Sequence, residues 1–62
     1  MLSIEDVRNY RENLLKVVVE LEKLLKADVA QEDQKFLGTL LLSTRRAVIT
    51  CSLRIFELEH RK

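Results

Sequence analysis

Sixty-two residues, 47% hydrophobic and 34% charged with a net charge of +1, make one domain at most, near the lower size limit for a chain that folds alone. That composition excludes a disordered chain, and the near-neutral balance argues against broad electrostatic binding of nucleic acid. A single cysteine allows no internal disulfide, and one cysteine with one histidine cannot build a structural zinc site.

A core this small supplies only about 3–5 kcal/mol, so with disulfide and metal excluded, self-association is the staple left. No cofactor is expected. The absence of proline and the single glycine, Gly38, favour an all-helical chain. Ser3 reads as the N-cap of the first helix. Ser3-Ile4-Glu5-Asp6 follows the capping-box pattern, and Leu2 with Val7 forms a hydrophobic staple. Val7, Tyr10, Leu14, Val17, Leu21 and Leu24 then recur at alternating spacings of three and four, an a/d seam. Ile4, Val18 and Leu25 widen it at the e positions. The spacing predicts a helix from about residue 4 to 26, with Lys23 and Lys26 where the helix dipole favours cations.

ADVAQED, residues 27 to 33, holds the turn, about residues 27 to 29. Asp28 is the expected cap of the second helix, with Gln31 at N3. No glycine marks the boundary, and one continuous helix is the alternative. The second helix is predicted from about residue 29 to 60. Its seam is Leu37, Leu41, Thr44, Val48, Cys51, Ile55 and Leu58. A second apolar line, Leu42, Ile49 and Phe56, lies roughly 100° round the helix, and Leu40 and Ala47 widen the opposite flank. One partner helix cannot cover both lines. The expected fold is therefore all-α: an antiparallel two-helix hairpin that assembles into a homo-oligomeric helical bundle, with Leu42, Ile49 and Phe56 at the interface with another copy or a protein partner.

The segment LLLSTRRAVITCSL, residues 40 to 53, embeds two arginines in the most apolar part of the chain. On the wheel Arg46 falls on the polar side. Arg45 falls between the two apolar lines, with the small residues Gly38 and Ser52 above and below it. Antiparallel neighbours with numbers summing to about 56, as a short hairpin loop implies, would bring Tyr10 and Arg11 level with Thr44 and Arg45. A buried guanidinium needs an anion. Glu12 or Glu5 is the structural candidate. A ligand phosphate is the functional one, since arginine offers a bidentate fork and tyrosine can stack on a base.

Cys51 reads as a small core residue, and His60, Arg61 and Lys62 as a cationic helix end. Cys51 and His60 fall on roughly opposite helix faces, so they form no nucleophile–base pair. There is no glycine-rich phosphate loop and no paired-carboxylate motif, and the chain does not read as an enzyme. The longest run without charge, FLGTLLLST, is short of the roughly 20 residues of a membrane span. Glu5 and Asp6 follow the start directly, which leaves no basic region of a signal peptide. A cytoplasmic protein with no membrane partner is the expectation.

Two short stretches resemble a known family. LSIEDV is similar to the opening of the first long helix, and DQKFLG, residues 33 to 38, to the opening of the second, in the helical-hairpin family of phage anti-defence sponge proteins. That family sequesters cyclic-nucleotide signals of bacterial immunity. The resemblance implies a viral oligomer of hairpins in the host cytoplasm that binds nucleotides between subunits. It places Tyr10, Lys26 and Arg45 at the ligand by residue type and rough position, and Arg11 and Thr44 join them from the level reading above. LLLST after Gly38 departs from that pattern by being more apolar. VELEKLLKADVAQEDQ resembles the helix–turn–helix junction of the plasmid RNA-binding hairpins that dimerise into four-helix bundles, which implies binding of RNA loops.

Three functions are thus expected, in this order: sequestration of a small anionic nucleotide by a non-catalytic oligomer, a protein-interaction module such as an inhibitor or adaptor, and RNA binding.

Overall fold

The structure is a computed structural model that describes residues 2–61. Among the described residues there are two helices and no strand: α1, Ile4–Lys26, and α2, Gln31–Glu59. They run antiparallel as a helical hairpin. Cross-helix contacts join Arg8 near the start of α1 to Glu59 at the end of α2, and Glu22 near the turn to Arg45. The result is a rod of 50 × 16 × 14 Å, its length set by α2 at about 1.5 Å per residue.

The start of α1 follows from local chemistry. The Asp6 backbone N–H donates to Ser3 Oγ and the Ser3 N–H donates back to Asp6 Oδ2, both at 3.1 Å, so two otherwise orphaned donors are satisfied. Glu5 and Asp6 stand in the first turn and Lys23 and Lys26 in the last, each sign at its favourable end of the dipole.

The start of α2 differs from expectation. Asp28 is not its cap. The N-cap is Ala30, which has no side-chain oxygen to offer. Ala27 and Ala30 are both extended, with ψ of 165° and 150°, because the chain must step sideways by a helix diameter before it can coil again. Val29, between them, is half-buried under the turn. The linker is thus residues 27 to 30, and Asp28 lies outside the helix. Glu32 and Asp33 still place negative charge on the first turn of α2.

At the far end α2 stops at Glu59. His60 is the C-cap, with its N–H on Phe56 O at 3.1 Å, its Nδ1 2.9 Å from the same carbonyl, and its ring stacked 4.0 Å from that of Phe56. The last turn of α2 carries no basic residue. Of the expected cationic end, Arg61 follows the cap and Lys62 lies outside the described residues.

The seam of α2 is as read: Leu37, Leu41, Thr44, Val48, Cys51, Ile55 and Leu58 are all half-buried. α1 is rotated from the a/d reading. Val7, Leu14 and Leu21 face α2, accompanied by Ile4, Arg11, Val18 and Leu25 rather than by Tyr10, Val17 and Leu24, which stay exposed. The apolar arc of α1 is wider than one partner can cover. Arg8, Arg11 and Glu22 all reach across to α2 from the Ile4–Val18–Leu25 side and fix which part of the arc turns inward. Among the described residues only Val7 and Leu21, at 6% and 7% exposure, are buried.

Four of the five hydroxyl groups threaded through α2 are satisfied by their own helix. Thr39, Thr44, Thr50 and Ser52 donate to the carbonyls of Lys35, Leu40, Arg46 and Val48, at 2.7 to 3.0 Å. Such back-bonding removes the polar demand of a hydroxyl on an apolar helix.

Candidate functional site

Arg45 is not buried in the hairpin. Its Nη2 donates to Glu22 Oε2 at 2.8 Å, and the two side chains are 55% and 42% exposed. The counter-anion is thus a carboxylate of the same chain, and it is Glu22 rather than Glu12 or Glu5. Arg11 turns elsewhere: its Nε donates to Ser52 Oγ at 2.7 Å. The expected level joining Tyr10, Arg11, Thr44 and Arg45 is not formed within the hairpin. Arg11 and Glu22 are about 16 Å apart along α1 at 1.5 Å per residue.

The cause is side-chain direction. Helical side chains lean toward their own N-terminus. In an antiparallel pair a side chain of α1 therefore reaches a residue of α2 farther from the turn than the backbone level suggests, and a side chain of α2 reaches a residue of α1 nearer to it. Contacting numbers sum to roughly 63 to 67 for these long polar side chains, instead of the about 56 expected from loop length. Of the other residues read as ligand-binding, Thr44 bonds the Leu40 carbonyl. Tyr10 stands exposed on the far flank of α1 beside a shallow groove with Leu2, Val7 and Cys51. Lys26 is exposed at the turn, about 24 Å along α1 from Tyr10.

A wide concavity lies at the open end of the hairpin, lined among others by Glu5, Arg8, Arg11, Glu12, Ser52 and Glu59. Arg8 is bonded to Glu59 and Arg11 to Ser52. Three carboxylates against two arginines, both already engaged, make a poor seat for an anion.

The pronounced surface feature is apolar. Leu42, Ile49, Leu53 and Phe56 of α2 are 53%, 58%, 62% and 60% exposed. They form one ridge on the outer side of α2, about 21 Å long from Leu42 to Phe56. Leu15 and Val19 of α1, also exposed, lie on the same side of the hairpin, since their neighbours round α1, Arg8 and Glu22, are those that reach Glu59 and Arg45. The opposite side carries a second exposed set, Tyr10, Val17 and Leu24 with Leu40. The second line of α2 was visible in the sequence. Leu53 was missed, although its place four residues after Ile49 puts it on the same ridge. Glu22 was missed because the level estimate ignored side-chain lean.

An 18-residue stretch of α2 has a mean hydropathy of 1.2, which makes the helix long and apolar enough to cross a membrane by length and composition, although only 6% of that stretch is buried in the hairpin. Arg45 and Arg46 sit side by side in it, each unfavourable at a bilayer centre by about 2.5–3.5 kcal/mol on insertion scales.

Comparison with known proteins returns no matching family model, no matching curated protein and no matching solved structure.

Proposed function

We propose that the chain is a non-catalytic association module, a helical hairpin that acts by presenting apolar helix faces to the helices of other protein chains. The observation that carries this reading is the ridge of Leu42, Ile49, Leu53 and Phe56, four large aliphatic or aromatic side chains more than half exposed on one helix face. α1 does not reach them, and large contiguous apolar patches on small proteins mark contact surfaces. The back-bonded hydroxyls leave few polar groups on α2 in need of outside partners, which suits packing against an apolar surface.

Sequestration of a small nucleotide draws less support, because Arg45 has Glu22 as its anion and a phosphate would have to displace it. RNA binding draws less again, since Arg8, Arg11 and Arg45 are all engaged within the chain.

The test is a photo-reactive amino acid at position 53 of the full chain, irradiated in cells. Adducts to protein chains, its own or others, support the reading. Irradiation that yields no protein adduct rejects it. Calorimetry against a panel of cyclic nucleotides separates the alternative: binding heat that Arg45→Ala abolishes would move the function to sequestration.

A further inference from the structure

We propose that the ridge is covered by the same ridge of a second copy of this chain, the two α2 helices running antiparallel about a two-fold axis at Ile49, so that two hairpins form a four-helix assembly. This rests on the association reading above and names its partner.

The first support is area. A folded monomer of 7.3 kDa exposes about 4,200 Å² by the usual scaling with mass, whereas this hairpin exposes 5194 Å². The excess of about 1,000 Å² is close to the roughly 800 Å² per partner that a stable protein interface buries. With Val7 and Leu21 as the enclosed side chains, the hairpin alone has too small a core to make this surplus inconsequential.

The second support is register. Leu42 and Phe56 are equidistant from Ile49, one heptad on either side. An antiparallel two-fold at Ile49 sets Ile49 against its own copy, and Leu42 against the partner's Phe56 twice over. A two-fold contact has to be self-complementary in this way. Spacing by sevens also keeps the ridge on one side through a shallow left-handed crossing of about 20°.

The third support is charge. Leu53 and Arg45 stand four residues on opposite sides of Ile49, so the same symmetry sets Leu53 level with the partner's Arg45, each on its own flank of the contact. That guanidinium is neutralised by Glu22 of its own chain. Doubling the ridge therefore brings no unpaired charge from Arg45 to the contact, and the arginine stem adds to the apolar cover.

The experiment uses the full chain carrying Cys51→Ser, with one new cysteine at a time: Leu42→Cys, Ile49→Cys or Phe56→Cys. Under mild oxidation the expected result is a disulfide-linked dimer from Ile49→Cys alone, and from Leu42→Cys only when mixed with Phe56→Cys. Sedimentation equilibrium of the unmodified chain is expected to give the mass of two chains, unchanged by added phosphatidylcholine vesicles. Linking of Leu42→Cys to itself would overturn the antiparallel arrangement. A single-chain mass with no Ile49→Cys link, or transfer of the chain to the vesicle pellet, would overturn the second copy as occupant. A single-chain mass alongside photo-adducts to another protein sinks this inference and leaves the association reading standing. A single-chain mass with no adduct sinks both.

Discussion

Leu21 and Leu24 sit three residues apart in α1, have the same helix propensity, and differ in what covers them. Leu21 is 7% exposed and Leu24 48%. Truncation of each to alanine therefore isolates burial from helix formation. Full burial of a leucine side chain contributes about 1.5–3 kcal/mol. For Leu21→Ala nearly all of that is lost, with a cavity contribution added, for a total of about 3 kcal/mol. For Leu24→Ala about half of the transfer contribution is lost and solvent fills the space, for about 1 kcal/mol. The expected gap of about 2 kcal/mol is large beside the roughly 3–5 kcal/mol available to so small a core. Urea titration followed by helix circular dichroism, at one fixed protein concentration so that any association is held constant, measures it. Equal costs for the two variants would refute the packing described, either because α1 is rotated differently or because the Tyr10–Val17–Leu24 side is covered too.

Arg45→Gln should cost less than about 1 kcal/mol, as half-exposed ion pairs do, and its effect should shrink between low and high salt; a loss of several kcal/mol in the same titration would mean that this arginine is enclosed. Ala30→Asp supplies the side-chain cap that α2 lacks and should raise stability by about 0.5–1 kcal/mol, read as a higher urea midpoint; no gain would show that the helix starts elsewhere. Gly38→Ala should stabilise by about 0.5–1 kcal/mol, because a β-carbon there meets nothing within 4 Å; destabilisation would reveal a close neighbour from another chain.

The two helices, their hairpin arrangement and the seam of α2 were legible because each rests on local signals: the Ser3–Asp6 box, the three-and-four spacing, and the lack of helix breakers before Ala27. The turn was less so. Asp28 is the better capping residue by chemistry, but Val29 is half-buried and the chain stays extended through Ala30, so α2 starts at Gln31. The rotation of α1 was hidden for a related reason. Its apolar arc spans both the Tyr10–Val17–Leu24 line and the Ile4–Val18–Leu25 line, and only the reach of Arg8, Arg11 and Glu22 to particular residues of α2 selects one. The proposed convergence around Arg45 depended on a level estimate in backbone positions, whereas long side chains lean nearly a turn away from theirs. The ridge of Leu42, Ile49 and Phe56 was legible because it needs nothing beyond the helical period, and for the same reason the sequence does not disclose what covers it.

The slenderness of the rod, 16 by 14 Å in cross-section, means that the molecule has no deep interior. A seam residue such as Val48 or Ile55 is separated from either broad side by a single side chain. Any substitution that repacks the seam therefore changes the contour of the outer ridge, and any change that reshapes the ridge is felt in the seam. In a larger domain, recognition can drift while the scaffold holds still. In this hairpin the two are tied together, and a new partner can be acquired only by altering how firmly the chain holds its own shape.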